Sequence, residues 1–294
     1  MFSKILVPVS SEEYSKEAIE RAADLASKYE DGKLHILYII EEKMLEDVNN
    51  VSDTMMTEED KKKLKEEIIN ERTKVAEDVI LKKTKSAVEE KDVDIEIEPI
   101  EVGCFSDSIS HFIDKGLVDL ILIGFHGRKY LNYSVIQSSS LPLWLYKKEE
   151  GMKLMLVASN LTVNEVAYDT VFELIKKFDL KSVDLAYILD YSKEKDYKYE
   201  KENIVESKLT RKEMRDRAED FVNEFKDKCK ELSVTPDVEI IEGKIEKITL
   251  SACKERNTDI IVLGDIMKEE RLSLTENIDK KIVESIPCSI ILSR

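Results

Sequence analysis

Three histidines, four cysteines and eight glycines are few for a chain of 294 residues, and their placement narrows the chemistry available. Five glycines (Gly103, Gly124, Gly127, Gly243 and Gly264) follow short runs rich in Ile, Val and Leu. In an α/β protein that position is the carboxyl edge of the sheet, where backbone amides and helix N-termini meet ligands. The stretch best suited to chemistry is Gly124-Phe125-His126-Gly127-Arg128. Its two glycines either leave backbone amides open to a ligand or serve only as tight strand-to-helix turns that need positive φ. His126 reads equally as a ligand contact or a polar turn residue, whereas His35, on a strand, and His111, on a helix, read as structural. No Ser-His-Asp order, His-Glu-x-x-His or Walker lysine loop occurs. The first strand is followed by Ser10-Ser11-Glu12, which lacks the acidic pair of a phosphoacceptor domain. No catalytic residues and no metal site are expected.

The composition excludes further classes. With 46 basic and 62 acidic side chains the formal net charge is −16, which opposes any nucleic-acid phosphate backbone. Hydrophobic residues at 42% suffice for a core. No apolar run approaches the roughly 20 residues that cross a bilayer, and the first residues are charged throughout, so a cytoplasmic protein is expected. Cys104, Cys229, Cys253 and Cys288 form no CxxC pair, and buried packing in a reducing compartment is their expected role. Cys104 and Cys253 are the candidates for redox activity.

The elements that must position these residues occur twice. Asp-Leu-Ile-Leu-Ile-Gly at 119–124 returns as Asp-Ile-Ile-Val-Leu-Gly at 259–264, and Gly103 is matched by Gly243 at the same shift of 140 positions. Lys-Ile-Leu-Val-Pro-Val at 4–9 faces Lys-Leu-Met-Leu-Val-Ala at 153–158, and 35–40 faces 184–189. Two domains are expected, 1–147 and 152–294, joined by the link Lys147–Gly151. Each reads as alternating strands and helices, hence an α/β parallel sheet with helices on both faces. Helices are expected at 11–29, 58–88, 106–115, 132–139, 163–178, 209–232, 246–255 and 275–285. The charged segments 42–60 and 190–208 read as mobile loops or frayed helix starts, and the Tyr-rich run 190–199 as a solvated loop or a docking segment. Leu141–Tyr146 and Pro287–Leu292 are terminal apolar strands, expected at sheet edges and paired with each other.

Ile5-Leu-Val-Pro-Val, Glu101-Val-Gly103, Val118-Asp-Leu-Ile-Leu-Ile-Gly124-Phe-His-Gly127-Arg and the closing Leu141-Pro-Leu-Trp-Leu-Tyr and Pro287-Cys-Ser-Ile-Ile-Leu resemble the universal stress proteins. The resemblance covers nearly the whole chain. It implies two tandem five-stranded parallel-sheet domains, doubly wound and of the adenine nucleotide alpha hydrolase type, related by an internal pseudo-twofold axis. It also implies intramolecular pairing of the domains, with a homodimer as a further option. Many members bind ATP without rapid turnover.

The family's nucleotide site can be followed part by part. The aspartate it places after strand 1 is Ser10 here, and Ser159 in the second half; the apolar wall for the base is Ile39 or Ile188. The family's phosphate loop runs Gly-x-x-Gly, nine residues, then Gly with Ser or Thr. Gly124 and Gly127 match its start, but Gln137 replaces the third glycine before Ser138. In the second half Met267 replaces the second glycine and Glu276 brings a negative charge to the phosphate position. The implied first-half site is therefore Pro8, Val9, Ser10, Ile39, Gly103, Gly124, His126, Gly127 and Arg128. The expected function is a non-enzymatic stress-response or regulatory binding protein with diverged nucleotide sites and a protein partner. The alternatives are a switch binding ATP or another adenine nucleotide in the first domain, and an accessory protein of a membrane transporter.

Overall fold

The computed structural model describes residues 2–10, 14–41, 57–125, 135–136, 139–147, 149–192, 196–200, 203–207, 209–264 and 278–294. The chain divides into two compact units, Phe2–Leu141 and Pro142–Arg294.

In the first unit, β1 (Lys4–Val9) pairs in parallel with β2 (Lys33–Glu41). Its other neighbour is β5 (Leu120–Gly124). β3 (Asp94–Ile97) and β4 (Glu101–Gly103) both lie along β2. The order is β5-β1-β2-β3, with β4 beside the far end of β2. The break between β3 and β4 contains Pro99, which has no N–H to give the ladder. β1 and β5 are apolar runs buried on both faces, as parallel strands must be when helices cover both sides of the sheet.

The helices follow from their caps and apolar stripes. α1 (Lys16–Ala26) starts at Ser15, whose hydroxyl accepts from the Ala18 amide, and buries Ala18, Ile19, Ala22, Ala23 and Ala26 on one side. α2 (Glu58–Val75) opens with a reciprocal capping box between Thr57 and Asp60. A π-helical turn (Ala76–Leu81) carries it into α3 (Lys82–Val88), so the single helix expected at 58–88 is continuous but not uniformly α. α4 (Phe105–Asp114) follows Gly103 directly.

The second unit repeats the plan. Its sheet order is β11-β8-β7-β12-β13-β6. Here β6 is Leu143–Tyr146, β7 Leu154–Ser159, β8 Ser182–Leu189, β11 Thr235–Glu242, β12 Ile260–Gly264 and β13 Ser289–Ser293. All pairs are parallel except β13 with β6, where Ile290 faces Leu145 and Leu292 faces Leu143. The two terminal apolar runs thus pair with each other, and each covers an edge of the other. The helices are α5 (Asn164–Phe178), α6 (Arg211–Glu231), α7 (Ile245–Glu255) and α8 (Ile278–Ser285). α6, like α2, starts from a Thr-x-x-acid box, Thr210 with Glu213, so the duplication extends to the caps. It is held down by an aromatic cluster in which Phe172 lies 5.2 Å from Phe225 and Tyr187 lies 5.5 Å from Phe221.

One expectation fails in this unit. The segment 190–208 is not simply loop, because β9 (Asp196–Glu200) and β10 (Asn203–Ser207) form an antiparallel hairpin within it. In β9 Tyr197 and Tyr199 alternate with Asp196, Lys198 and Glu200, a period of two that charge counting obscured.

Candidate functional site at the carboxyl edge of the first sheet

Parallel register brings the implied first-half residues to one edge. Val9 stands opposite Tyr38, next to Ile39 on β2, and Glu41 stands opposite Gly103. Extending the pairing of Ile5 with Leu120 along β1 and β5 sets Val9 level with Gly124. Pro8, Val9, Ser10 and Ile39 are buried, so they form the floor and wall of this edge rather than its mouth. Gly103 is different. A Cβ built on it would meet nothing within 4 Å among the described residues. Immediately beyond it, Cys104 is exposed and begins α4 without a side-chain cap on the helix amides. Its sulfur lies 3.2 Å from the Ser106 hydroxyl. An uncapped helix start beside an uncrowded glycine is a place where backbone N–H groups remain available to an anion. His126, Gly127 and Arg128 lie outside the described residues.

The second half fills the corresponding edge with its own side chains. Ser159, at the end of β7, donates its amide to Asn164 Oδ1 at 3.1 Å, and its carbonyl accepts from Asn164 Nδ2 at 2.9 Å. The Thr162 hydroxyl donates to the same Oδ1 at 2.7 Å. Asn160 clamps the end of β8: its Nδ2 donates to the Asp190 carbonyl at 3.2 Å and its Oδ1 accepts the Asp190 amide at 2.8 Å. The Asp190 carboxylate in turn accepts the Ile245 amide at 3.1 Å, at the first residue of α7, and the Ser192 amide at 2.9 Å. This helix start already holds an anion, supplied by the protein.

The glycines seal the same region. Gly243 has φ +152 and a Cβ there would lie 3.0 Å from Ile248 Cγ1. Gly264 packs so closely on the turn before α5 that a Cβ would fall 1.9 Å from the Val163 carbonyl oxygen. No ligand atom fits between those two backbones. Met267 and Glu276, which the sequence sets against a phosphate, lie outside the described residues.

The histidines outside the loop are tied into the fold. His35 is buried on β2, with Nδ1 2.6 Å from Glu98 Oε1 and 3.8 Å from Glu96 Oε2. These three side chains together offer one nitrogen and two oxygens within 4.8 Å of one another, a set that could hold a metal ion. The Lys33 ammonium pairs with Glu96 and holds its carboxyl below the usual range through that hydrogen bond, so one member of the set already has a cation beside it. His111 packs edge-on to Phe112.

Three residues of the second edge escaped the sequence reading: Asn160, Asn164 and Asp190. Their signal was present, since polar residues directly after an apolar strand must either face solvent or find backbone partners. Sequence alone does not say which.

The family comparison follows from this duplicated, doubly wound plan. The model of the universal stress protein family matches residues 1–143. The first half belongs to the universal stress protein family. For the whole length, a universal stress protein from Archaeoglobus fulgidus DSM 4304 superposes with a TM-score of 0.64 at 16% identity, covering 100% of this chain and 97% of its own. A Pseudomonas aeruginosa UCBPP-PA14 structure named for the same family gives 0.56 at 11% identity, over 99% of this chain and 93% of its own. At these identities the likeness establishes the fold: the second half shares the universal stress architecture. No curated protein matches the chain. No helix among the described residues is long and apolar enough to cross a membrane.

Proposed function

We propose that this chain is a non-enzymatic binding protein of universal stress type in which only the first half takes a ligand, an adenine nucleotide. The second half is a sealed copy that serves as a fixed structural partner and offers a surface for regulation. The observation that carries this reading is the contrast between two matched glycines: Gly103 has open space around it, whereas a Cβ on Gly243 would press on Ile248. Buried Val9 and Ile39 supply an apolar wall suited to a base, and the uncapped start of α4 supplies amides for an anion. Arg128, four residues after Gly124 and next to Gly127, would contact phosphate.

Arg128→Ala tests the assignment. The expected result is a fall in ATP affinity of about tenfold or more, as for a lost charge-assisted hydrogen bond, with the melting temperature of the unliganded protein unchanged. Unchanged affinity would place any nucleotide elsewhere. A wild-type melting temperature that does not move at millimolar ATP would remove the nucleotide and leave a role in protein binding alone.

A further inference from the structure

Cys253 and Cys288 are 35 positions apart in sequence, yet their sulfurs lie 2.8 Å apart. Cys253 sits on α7 and Cys288 immediately precedes β13. That separation is shorter than the resting contact of two unbonded sulfurs and longer than the roughly 2.05 Å of a disulfide bond. Both side chains are buried, at 1% and 4% exposure. Lys147 is built into the same corner. Its ammonium donates to the carbonyls of Val283 and Ile286, and its backbone N–H and C=O bracket the Ser289 hydroxyl at 2.9 and 3.1 Å.

Their mutual contact sets these two thiols apart from the other buried cysteine. Cys229, alone in the core, has its thiol pushed up to about 11 by burial. Cys253 is instead held below its ordinary value, first by the hydrogen bond from Cys288 and, against the opposing effect of burial, also by the positive charge of Lys147. Cys288 is raised by the same contact. The contact therefore favours Cys253 as the thiol that ionises more readily and Cys288 as its hydrogen-bond donor.

We infer that Cys253 and Cys288 form a peroxide-reactive dithiol that closes reversibly to a disulfide. The co-substrate is a small hydroperoxide, because burial at 1% and 4% exposure keeps bulky disulfides such as oxidised glutathione from the sulfurs. The Cys253 thiolate attacks the terminal oxygen of ROOH; the O–O bond breaks, ROH leaves after taking a proton, and Cys253 becomes a sulfenic acid. Cys288 then attacks that sulfur, a sulfur–sulfur bond forms, and water departs. In sum, two thiols and ROOH give one disulfide, ROH and H2O. The sulfurs lose two electrons, which reduce the peroxide. The bond would close a covalent loop from 253 to 288, which contains β12, the segment 265–277 and α8.

The test uses the full chain carrying Cys104→Ser, so that the exposed thiol cannot cross-link two molecules. Protein treated with stoichiometric hydrogen peroxide, or with oxidised glutathione, is unfolded in alkylating reagent and digested with trypsin. Peroxide should lower the intact mass by two hydrogens and join the peptides 248–254 and 282–294, while Cys229 is alkylated. A dithiol reductant should reverse this, and glutathione disulfide should leave both cysteines free. Closing this loop should raise the melting temperature by about 5 °C or more. Adding Cys288→Ser should abolish the cross-link and the shift, and leave a dimedone-trappable sulfenic acid on Cys253. Recovery of both cysteines in alkylated form after peroxide treatment overturns the inference. So does joining of Cys253 to Cys229 instead of Cys288.

Discussion

The carboxyl edges of the two sheets share one plan and are finished in different ways. In the first half the helix after Gly103 starts without a side-chain cap, and the glycine has empty space beside it. In the second half, Asp190 reaches from β8 to the start of α7, Asn160 holds Asp190 in place, and Asn164 ties down the end of β7. Both arrangements solve the same physical problem, because a helix N-terminus leaves amides that need acceptors. One half answers it with its own side chains, which costs it the room for a ligand. In the other, Cys104 at the helix start caps none of the amides with its side chain.

That contrast can be broken most forcefully at the glycines. Gly264→Ala should destabilise the protein by at least about 3 kcal/mol in urea unfolding, because the new methyl would sit on the Val163 carbonyl and neither backbone can move freely. Gly103→Ala should change stability by no more than about 0.5 kcal/mol, since its Cβ enters open space. Equal effects at the two positions would mean that these two glycines are not packed as described.

A smaller effect is expected at the internal anion. Asp190→Ala strips the acceptor from the Ile245 and Ser192 amides in a buried setting and should cost about 2 kcal/mol. Asp190→Asn, which retains an acceptor oxygen, should recover about half of that loss. If alanine were as stable as wild type in thermal and urea unfolding, Asp190 would not be sealing the helix start.

Much of this architecture was legible in advance, and the reasons are specific. The strands with both faces buried, such as Leu120–Gly124 and Ile260–Gly264, announce themselves as unbroken Ile, Val and Leu runs. The repeat made each half a check on the other, down to Thr57 and Thr210 at matching helix starts. The hairpin at 196–207 was hidden because its charged composition resembles a solvated loop and only the alternation betrays it. The candidate site was legible as an edge but not as a pair of unequal edges. Ser10 and Ser159 are the same residue type at matching positions, and what separates their surroundings is the hydrogen bonding of Asn160, Asn164 and Asp190, which depends on which strands lie beside them. The Cys253–Cys288 contact was beyond the sequence for the same reason, since no spacing rule joins a helix to the entry of a strand 35 positions later.

The central claim, one open edge and one sealed edge per chain, is tested most directly by counting. Native mass spectrometry of the intact chain with increasing ATP reports how many nucleotides each molecule holds. The account predicts a single bound nucleotide at saturation, retained when the second edge is weakened by Asp190→Asn. Two nucleotides per wild-type chain, or none, would contradict it.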